Sequence, residues 1–228
     1  MKKILVCLSM LFLTGCVQVH SWKYTAEQRS YEEPKSNLTV VVPPMRDTRK
    51  NKNGSEASAL LALVPLVPYS KNAVFNAPEG NTFLLNNLKI AEDLAKTTSE
   101  ELQAASIFKN TYFSFDTQQS DLILESTVSK FRLKKYWTFY GLSFYGALLY
   151  YLGLPAGTRH NDIAIKYELK DQKGNIYFSK YYSAHKKAYQ GLYYNLDIAG
   201  DFEPLMKEIN MELIKDLSKV AKDIKLKK

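Results

Sequence analysis

Cysteine is nearly absent: the 228 residues contain two, Cys7 and Cys16, both within the first sixteen positions. Everything downstream therefore lacks a disulfide framework, a thiolate nucleophile and a cysteine zinc site. Histidine is almost as scarce. His20, His160 and His185 share no ligand spacing, and no H-E-x-x-H occurs, so a metal site has no support in the sequence. The chain also has no G-x-x-x-x-G-K-[ST] and no G-x-G-x-x-G, which removes the usual phosphate cradles. In Gly141-Leu142-Ser143-Phe144-Tyr145-Gly146, Tyr145 stands where a nucleophile elbow needs glycine. The acidic residues fall mainly on helix exteriors or beside lysines, not as pairs facing across a cleft. The expectation is a protein that is not an enzyme and uses no cofactor and no metal, with a fold held together by its core.

The first residues are more informative. Lys2 and Lys3 precede an apolar stretch, Ile4 to Leu13, of signal-peptide length and too short to span a bilayer. Leu13-Thr14-Gly15-Cys16 then resembles the lipobox of bacterial lipoproteins: an aliphatic residue, two small ones and the cysteine that becomes the mature N-terminus. The resemblance implies cleavage after residue 15, lipidation of Cys16 and anchoring through several acyl chains, stable because each buried methylene contributes about 0.8 kcal/mol. Val17, not Asp, follows the cysteine. By analogy with enterobacterial sorting, this implies the outer membrane, lipid-anchored on its periplasmic face. The expected organisation is a signal peptide at 1–15, a lipidated N-terminus and tether at 16–36, and a single domain over 37–228.

Lys and Arg number 31 against 23 Asp and Glu, a net charge of +8 that becomes +6 without Lys2 and Lys3. Behind a secretion signal the anionic partners at hand are lipid head groups, lipopolysaccharide and wall polymers, so no nucleic-acid partner is expected. Much of the excess lies in the tail "KVAKDIKLKK", where cations suit the end of a helix.

Along the chain, Leu38 to Val42 reads as a short buried strand stopped by Pro43-Pro44. Asp47, between Arg46 and Arg49, reads as the fixing point of a loop. Leu84, Leu88, Ala91, Leu94, Ala95, Thr98, Leu102 and Ala105 recur at helical spacing. Thr111 to Phe115 is a strand. "DLILESTVSKFRLKK" is a long one, with Leu122, Leu124, Ser126 and Val128 on one face, followed by Lys130, Arg132 and Lys134. Ile163 to Leu169 alternates, "DQKGN" is a hairpin turn bending at Gly174, and "IYFSKYYSAHKKAY" is the partner strand. Asp201 is the expected N-cap of a C-terminal helix marked by Leu205, Ile209, Leu213, Leu217, Val220 and Ile224. Two such helices on one face of a mostly antiparallel sheet make an α+β two-layer sandwich, with long apolar insertions.

A strand ending in "VVPPMRDTR", a helix closing on "EELQAASIFKNTYFSF", and "SDLILESTVSKFRL" together resemble envelope lipoproteins with a domain like the N-terminal domain of the translocation protein TolB. These include the curli secretion lipoprotein and penicillin-binding-protein activators. The resemblance spans roughly Leu38 to Leu133 and implies that fold and a role as subunit of an envelope complex; it implies no reaction. Tyr136 to Gly157 has no place in the pattern.

That departure, "YWTFYGLSFYGALLYYLGLPAG", holds no charge over its whole length. Gly141, Gly146 and Gly153 interrupt it, Pro155 ends it, and strands of one sheet flank it on both sides, so a single membrane crossing does not fit. Together with a second apolar segment, 59–69, it either completes the core or forms an exposed surface. The expected interaction surface is Trp137, Phe139, Tyr140, Phe144, Tyr145, Leu148 and Tyr151 with Leu63 and Leu66. The partner is an envelope protein or a second copy of the chain, alongside the membrane reached through the lipid. Lys130, Arg132, Lys134 and Lys135 stand directly before the run and form a candidate site for anionic groups. This leaves a lipid- or lipopolysaccharide-binding module as the alternative to a structural or assembly subunit.

Overall fold

The computed structural model describes residues 20–22, 24–27, 33–49, 72–76, 85–86, 88–137, 146–195 and 201–224. In chain order the elements are β1 (His20–Ser21), β2 (Ser36–Val42), β3 (Arg46–Asp47), β4 (Asn72–Asn76), β5 (Leu85–Asn86), α1 (Ile90–Ala104), β6 (Phe108–Phe113), β7 (Leu122–Trp137), α2 (Gly146–Tyr151), β8 (Gly157–Asp171), β9 (Ile176–Gln190) and α3 (Phe202–Val220). The fold class is α+β. Seven strands form one sheet in the order β6-β2-β7-β8-β9, with β3 and β4 also paired to β7; β1 and β5 make a separate two-stranded pair.

The sheet is mixed. β6, β2 and β7 run parallel, as does β3 with β7, whereas β4, β8 and β9 join antiparallel. Val40, Val41 and Val42 are all fully buried. β2 therefore reads as an unbroken apolar run, the signature of a strand covered on both faces. Pro43 and Pro44 cannot donate to the ladder, so pairing lapses there and resumes at β3.

β7 departs from the sequence reading in one instructive way. Leu122, Leu124, Ser126 and Val128 point into the core as expected, but the register with β8 shifts between Val128 and Lys130. This bulge at Ser129 reverses the alternation. Phe131 and Leu133 take over the inner face, and Lys130 and Arg132 move to the outer one. Continued alternation would have buried two cations.

β8 and β9 meet in the expected turn. The Asp171 carboxylate accepts the backbone N–H groups of Lys173 and Asn175, each at 2.9 Å, and Gly174 takes the left-handed φ of +86°. At the other end of the chain Asp201 occupies the N-cap position of α3 but makes no cap hydrogen bond. Its oxygens are taken instead by Arg159 Nε at 2.6 Å and Lys186 Nζ at 2.9 Å. Charge pairing has displaced capping. Helix α1 likewise begins at Ile90, later than the periodicity from Leu84 suggests. There the Asp93 carboxylate accepts the Lys89 N–H at 2.8 Å.

Leu94 and Leu102 of α1, Leu205, Ile209 and Leu213 of α3, and Val128, Ile163, Ile165 and Leu169 of the sheet share one core. Each fully buried aliphatic side chain contributes about 1.5–3 kcal/mol. A buried polar chain threads through it. The Thr98 hydroxyl lies 3.0 Å from the Tyr167 hydroxyl and 3.2 Å from Asn210 Oδ1. Asn210 Nδ2 donates to the Tyr24 hydroxyl at 3.3 Å, which donates in turn to Glu101 Oε1 at 2.8 Å. Trp22 and Tyr24, from the segment expected to be a tether, pack against this core and stack with ring centroids 6.2 Å apart. Burial, with Glu101 beside it, pushes the Tyr24 hydroxyl far above its ordinary pKa.

Candidate interaction surface

The long β7-β8-β9 meander ends in a structure built by the tail of the charge-free run. Tyr136 and Trp137 finish β7, Gly146 to Tyr151 form α2, and Gly157 opens β8. Six residues make a marginal helix, and a Schellman motif closes this one. The N–H of Gly153 bonds the carbonyl of Tyr150 at 3.0 Å, and that of Leu154 bonds the carbonyl of Leu149 at 3.1 Å. Gly153 supplies the required φ of +84°, and Pro155 follows. The glycine and proline that argue against a membrane span are thus the stop signals of a short helix. Among the described residues, no helix is long and apolar enough to cross a membrane.

A second segment clasps this helix, and sequence reading missed it. After β9 the chain turns at Gly191, where a Cβ would stand 2.4 Å from the Tyr194 ring, so any larger residue must displace that ring. The Tyr194 hydroxyl donates to the Gly153 carbonyl at 3.3 Å, and the Tyr193 hydroxyl to the Tyr151 carbonyl at 3.1 Å. Arg159 holds the loop from beneath through Nη1 to the Asn195 carbonyl at 2.5 Å. A signal was available: "GLYYN" directly follows an alternating strand and is itself apolar and aromatic.

Together these segments expose Leu148, Tyr151, Leu152, Leu154, Leu192 and Tyr193; Leu152 is 71% accessible and Tyr193 63%. Of the expected surface residues, Leu148 and Tyr151 lie here and Trp137 ends β7. Leu63, Leu66, Phe139, Tyr140, Phe144 and Tyr145 lie outside the described residues, as do Cys16, Ser143 and the segment 59–69.

The outer sheet face carries the cations. Arg132, Asp162 and His185 stand directly opposite one another on β7, β8 and β9. Arg132 Nε meets Asp162 Oδ2 at 2.6 Å, and His185 Nδ1 meets Asp162 Oδ1 at 2.6 Å. Burial opposes ionisation of Asp162, but the hydrogen bonds from His185 and Arg132 outweigh it and lower its pKa. This aspartate-oriented histidine sits on an open sheet face. Among the described residues its ring meets Asp162 and the His160 ring, 5.3 Å away, and no serine or threonine hydroxyl. A triad would need one. Arg132 is therefore committed to a carboxylate, while Lys130 is exposed on the same face. Lys134 and Lys135 pair in register with His160 and Arg159. Asp47 is fixed by Arg49, whose Nε lies 2.9 Å from Oδ1, the loop-fixing pair expected. No group of three or more His, Cys, Asp or Glu among the described residues could hold a metal ion.

No family model matches the chain, and no curated protein matches it. Its fold is partly similar to three solved structures. One is described as a neuraminyllactose-binding hemagglutinin homolog from Helicobacter pylori, 9% identical, covering 89% of this chain and 97% of that one at a TM-score of 0.47. The second is a lipoprotein from Caulobacter crescentus CB15, 12% identical over 58% of this chain and 86% of that one, TM-score 0.34. The third is a minor lipoprotein from Acinetobacter baumannii, 10% identical over 60% and 87%, TM-score 0.29. None is close enough to lend this chain a function.

Proposed function

We propose that this protein is a non-catalytic, lipid-anchored envelope protein that works through the apolar surface at the end of its meander. Cys16 is its anchor, and the outer membrane, periplasmic face, is its place. The single observation that carries the reading is the joined exposure of Leu148, Tyr151, Leu152, Leu154, Leu192 and Tyr193 on one short helix and the loop that clasps it. Monomers seldom leave such a cluster uncovered without a use for it. The role is that of a structural or assembly component, on a two-layer body in which α1 and α3 cover one sheet face. A lipid- or lipopolysaccharide-binding module is the second reading, drawn from the cations of the outer face, and lipid co-purifying with the unlipidated chain would favour it.

The mature chain carrying Cys16→Ser, in buffer without detergent, should bind a hydrophobic dye and lose that binding on joint Leu148→Ser, Leu152→Ser and Tyr193→Ser substitution. A wild-type chain that binds no dye and remains a clean monomer would remove the working-surface reading.

A further inference from the structure

We infer that the surface at the end of the meander rests on the lipid bilayer, with its apolar side chains among anionic head groups; this builds on the reading of that surface as the working one. Three observations separate a membrane from a protein partner.

The first is charge. Residues 126–161, which form most of β7, all of α2 and the start of β8, contain no Asp or Glu, and neither do residues 172–196, which include all of β9 and its loop. On the tip half of the same strands stand Lys130, Arg132, Lys134, Lys135, Lys186 and Lys187, with Arg159 buried beneath the loop. Among the described residues, the acids that follow these two stretches are Asp162 and Asp201, and they are held by Arg132 and His185 and by Arg159 and Lys186. A protein partner for such a patch would have to carry a complementary acidic patch, whereas a bilayer supplies phosphates everywhere. A surface with a single sign and an aromatic edge suits a phosphate-bearing interface.

The second is the row of residues just behind the apolar end. Val74, Lys134, His160 and Lys187 are opposite one another on β4, β7, β8 and β9. The next row away from the tip includes Asp162, whereas the residues in register here include no Asp or Glu. It lies three residues short of the ladder's end at Gly157–Gln190, roughly 10 Å of strand. That matches the depth to which interfacial helices sink, about 5–10 Å. With Leu152 and Tyr193 inserted, Lys187 stands at the depth of the phosphates.

The third is where the anchor leaves the fold. α1 runs opposite to β2: its first turn is tied to Met45 by the 2.8 Å bond to the Ala91 carbonyl, and Gln103 near its other end accepts the Thr111 N–H. β7 continues past β3 toward the tip, so the N-terminal end of α1 faces the tip. Tyr24 is bound to Glu101 near the far end of α1, and the chain before it runs back to β1, which pairs with β5 just ahead of α1. β1 therefore lies toward the tip from Tyr24. Cys16 precedes His20 by four residues, at most roughly 14 Å of extended backbone. That reach would let a lipid on Cys16 and the tip meet one plane.

The test is sedimentation of the Cys16→Ser mature chain with vesicles. Every described element lies between His20 and Ile224, so the loss of the lipid leaves the fold intact. Equimolar phosphatidylcholine and phosphatidylglycerol vesicles should carry the protein down, and phosphatidylcholine alone should do so far less. Lys187→Gln should weaken binding about fivefold, the share of one surface lysine, and Leu152→Asp should abolish it with the circular dichroism spectrum unchanged. Equal binding to both vesicles, or binding untouched by Leu152→Asp, would overturn the proposal. No vesicle binding together with a defined oligomer that Leu152→Asp dissociates would give the surface to a second copy, refuting the lipid occupant while the working surface stands. No vesicle binding, no oligomer and no dye binding would refute both.

Discussion

Arg159 and Asp201 form an ion pair across 2.6 Å with almost no contact with water: the arginine side chain is 2% exposed and the aspartate 8%. The pair joins β8 to the start of α3, and the same guanidinium holds the loop under Tyr193 through the Asn195 carbonyl. The apolar end of the molecule is thus braced from inside by a buried charge.

Breaking one half of such a pair leaves the other buried and uncompensated, which costs about 3–5 kcal/mol. Asp201→Asn should destabilise toward the lower end of that range, because Lys186 is half-exposed and can turn to water. Arg159→Met with Asp201→Leu should cost clearly less than either single change, since neither charge is then stranded. Urea denaturation of the two single variants and the double variant measures the difference. A double variant at least as unstable as the sum of the singles would contradict it.

Tyr24 offers a separate test of how firmly the N-terminal segment is attached. Its hydroxyl links Glu101 on α1 to Asn210 on α3. Tyr24→Phe preserves the ring that stacks on Trp22 but strips a buried carboxylate of a donor, a loss of about 1–3 kcal/mol. Thermal unfolding should show it. If the segment were only a solvated tether, Tyr24→Phe and Tyr24→Ala would both leave the melting temperature unchanged.

The bulge at Ser129 explains why part of the molecule was legible in the sequence and part was not. Alternation gave β9 nearly to the residue and the second half of β8, whose first residues, Gly157 to Asp162, it did not assign; apolar spacing gave α1 and α3, because each of those helices buries one continuous face. The same alternation carried through Val128 puts Lys130 and Arg132 on the core side, and nothing local announces the extra residue. The bulge follows from tertiary demand, since Phe131 must stack on Phe202, centroids 4.2 Å apart, while Arg132 must reach Asp162. Deleting Ser129 should remove the bulge while leaving Phe131 inward and Arg132 outward, so the variant should keep a cooperative unfolding transition and lose only the hydroxyl contacts of Ser129 with the Ala164 carbonyl and Tyr181; loss of cooperativity would count against the bulge. The exposed end was half legible. Its apolar content was plain in Tyr136 to Gly157, but the contribution of Leu192 and Tyr193 depends on a long-range clasp from Tyr193 to Tyr151, 42 positions apart.

Substitution within that clasp should separate stability from surface properties. Leu152 packs on little and is 71% exposed. Leu152→Ser should therefore change stability by no more than about 0.5 kcal/mol. Gly191→Ala should do the reverse. Its Cβ would meet the Tyr194 ring at 2.4 Å, so the ring must swing away and its hydrogen bond to the Gly153 carbonyl is lost. Amide exchange at Gly153 and Leu154 would report it, and unchanged protection in Gly191→Ala would count against the clasp.

Acid should weaken the protein in a defined window. The hydrogen bond from Lys180, opposed by burial and aided by Tyr182 and Lys219, lowers the Asp216 pKa from 3.8 to about 2. Near pH 3 the unfolded chain thus binds a proton at this site that the folded chain does not, so stability rises with pH there. The contribution is fully present above the unfolded value and is lost as pH falls from about 4 through about 2. Asp162 and Asp47 are lowered too and add to the slope with the same sign, whereas Glu100, raised by burial and then by Glu101, acts against it. Asp216→Asn should flatten the dependence of stability on pH between about 4 and 2 without removing it, and Lys180→Met should do nearly the same. Both variants should lose stability at neutral pH, where the ion pair between β9 and α3 is intact in the wild type. Equilibrium unfolding at a series of pH values would decide it: a slope in Asp216→Asn equal to that of the wild type would mean that this carboxylate is not held by Lys180 in solution.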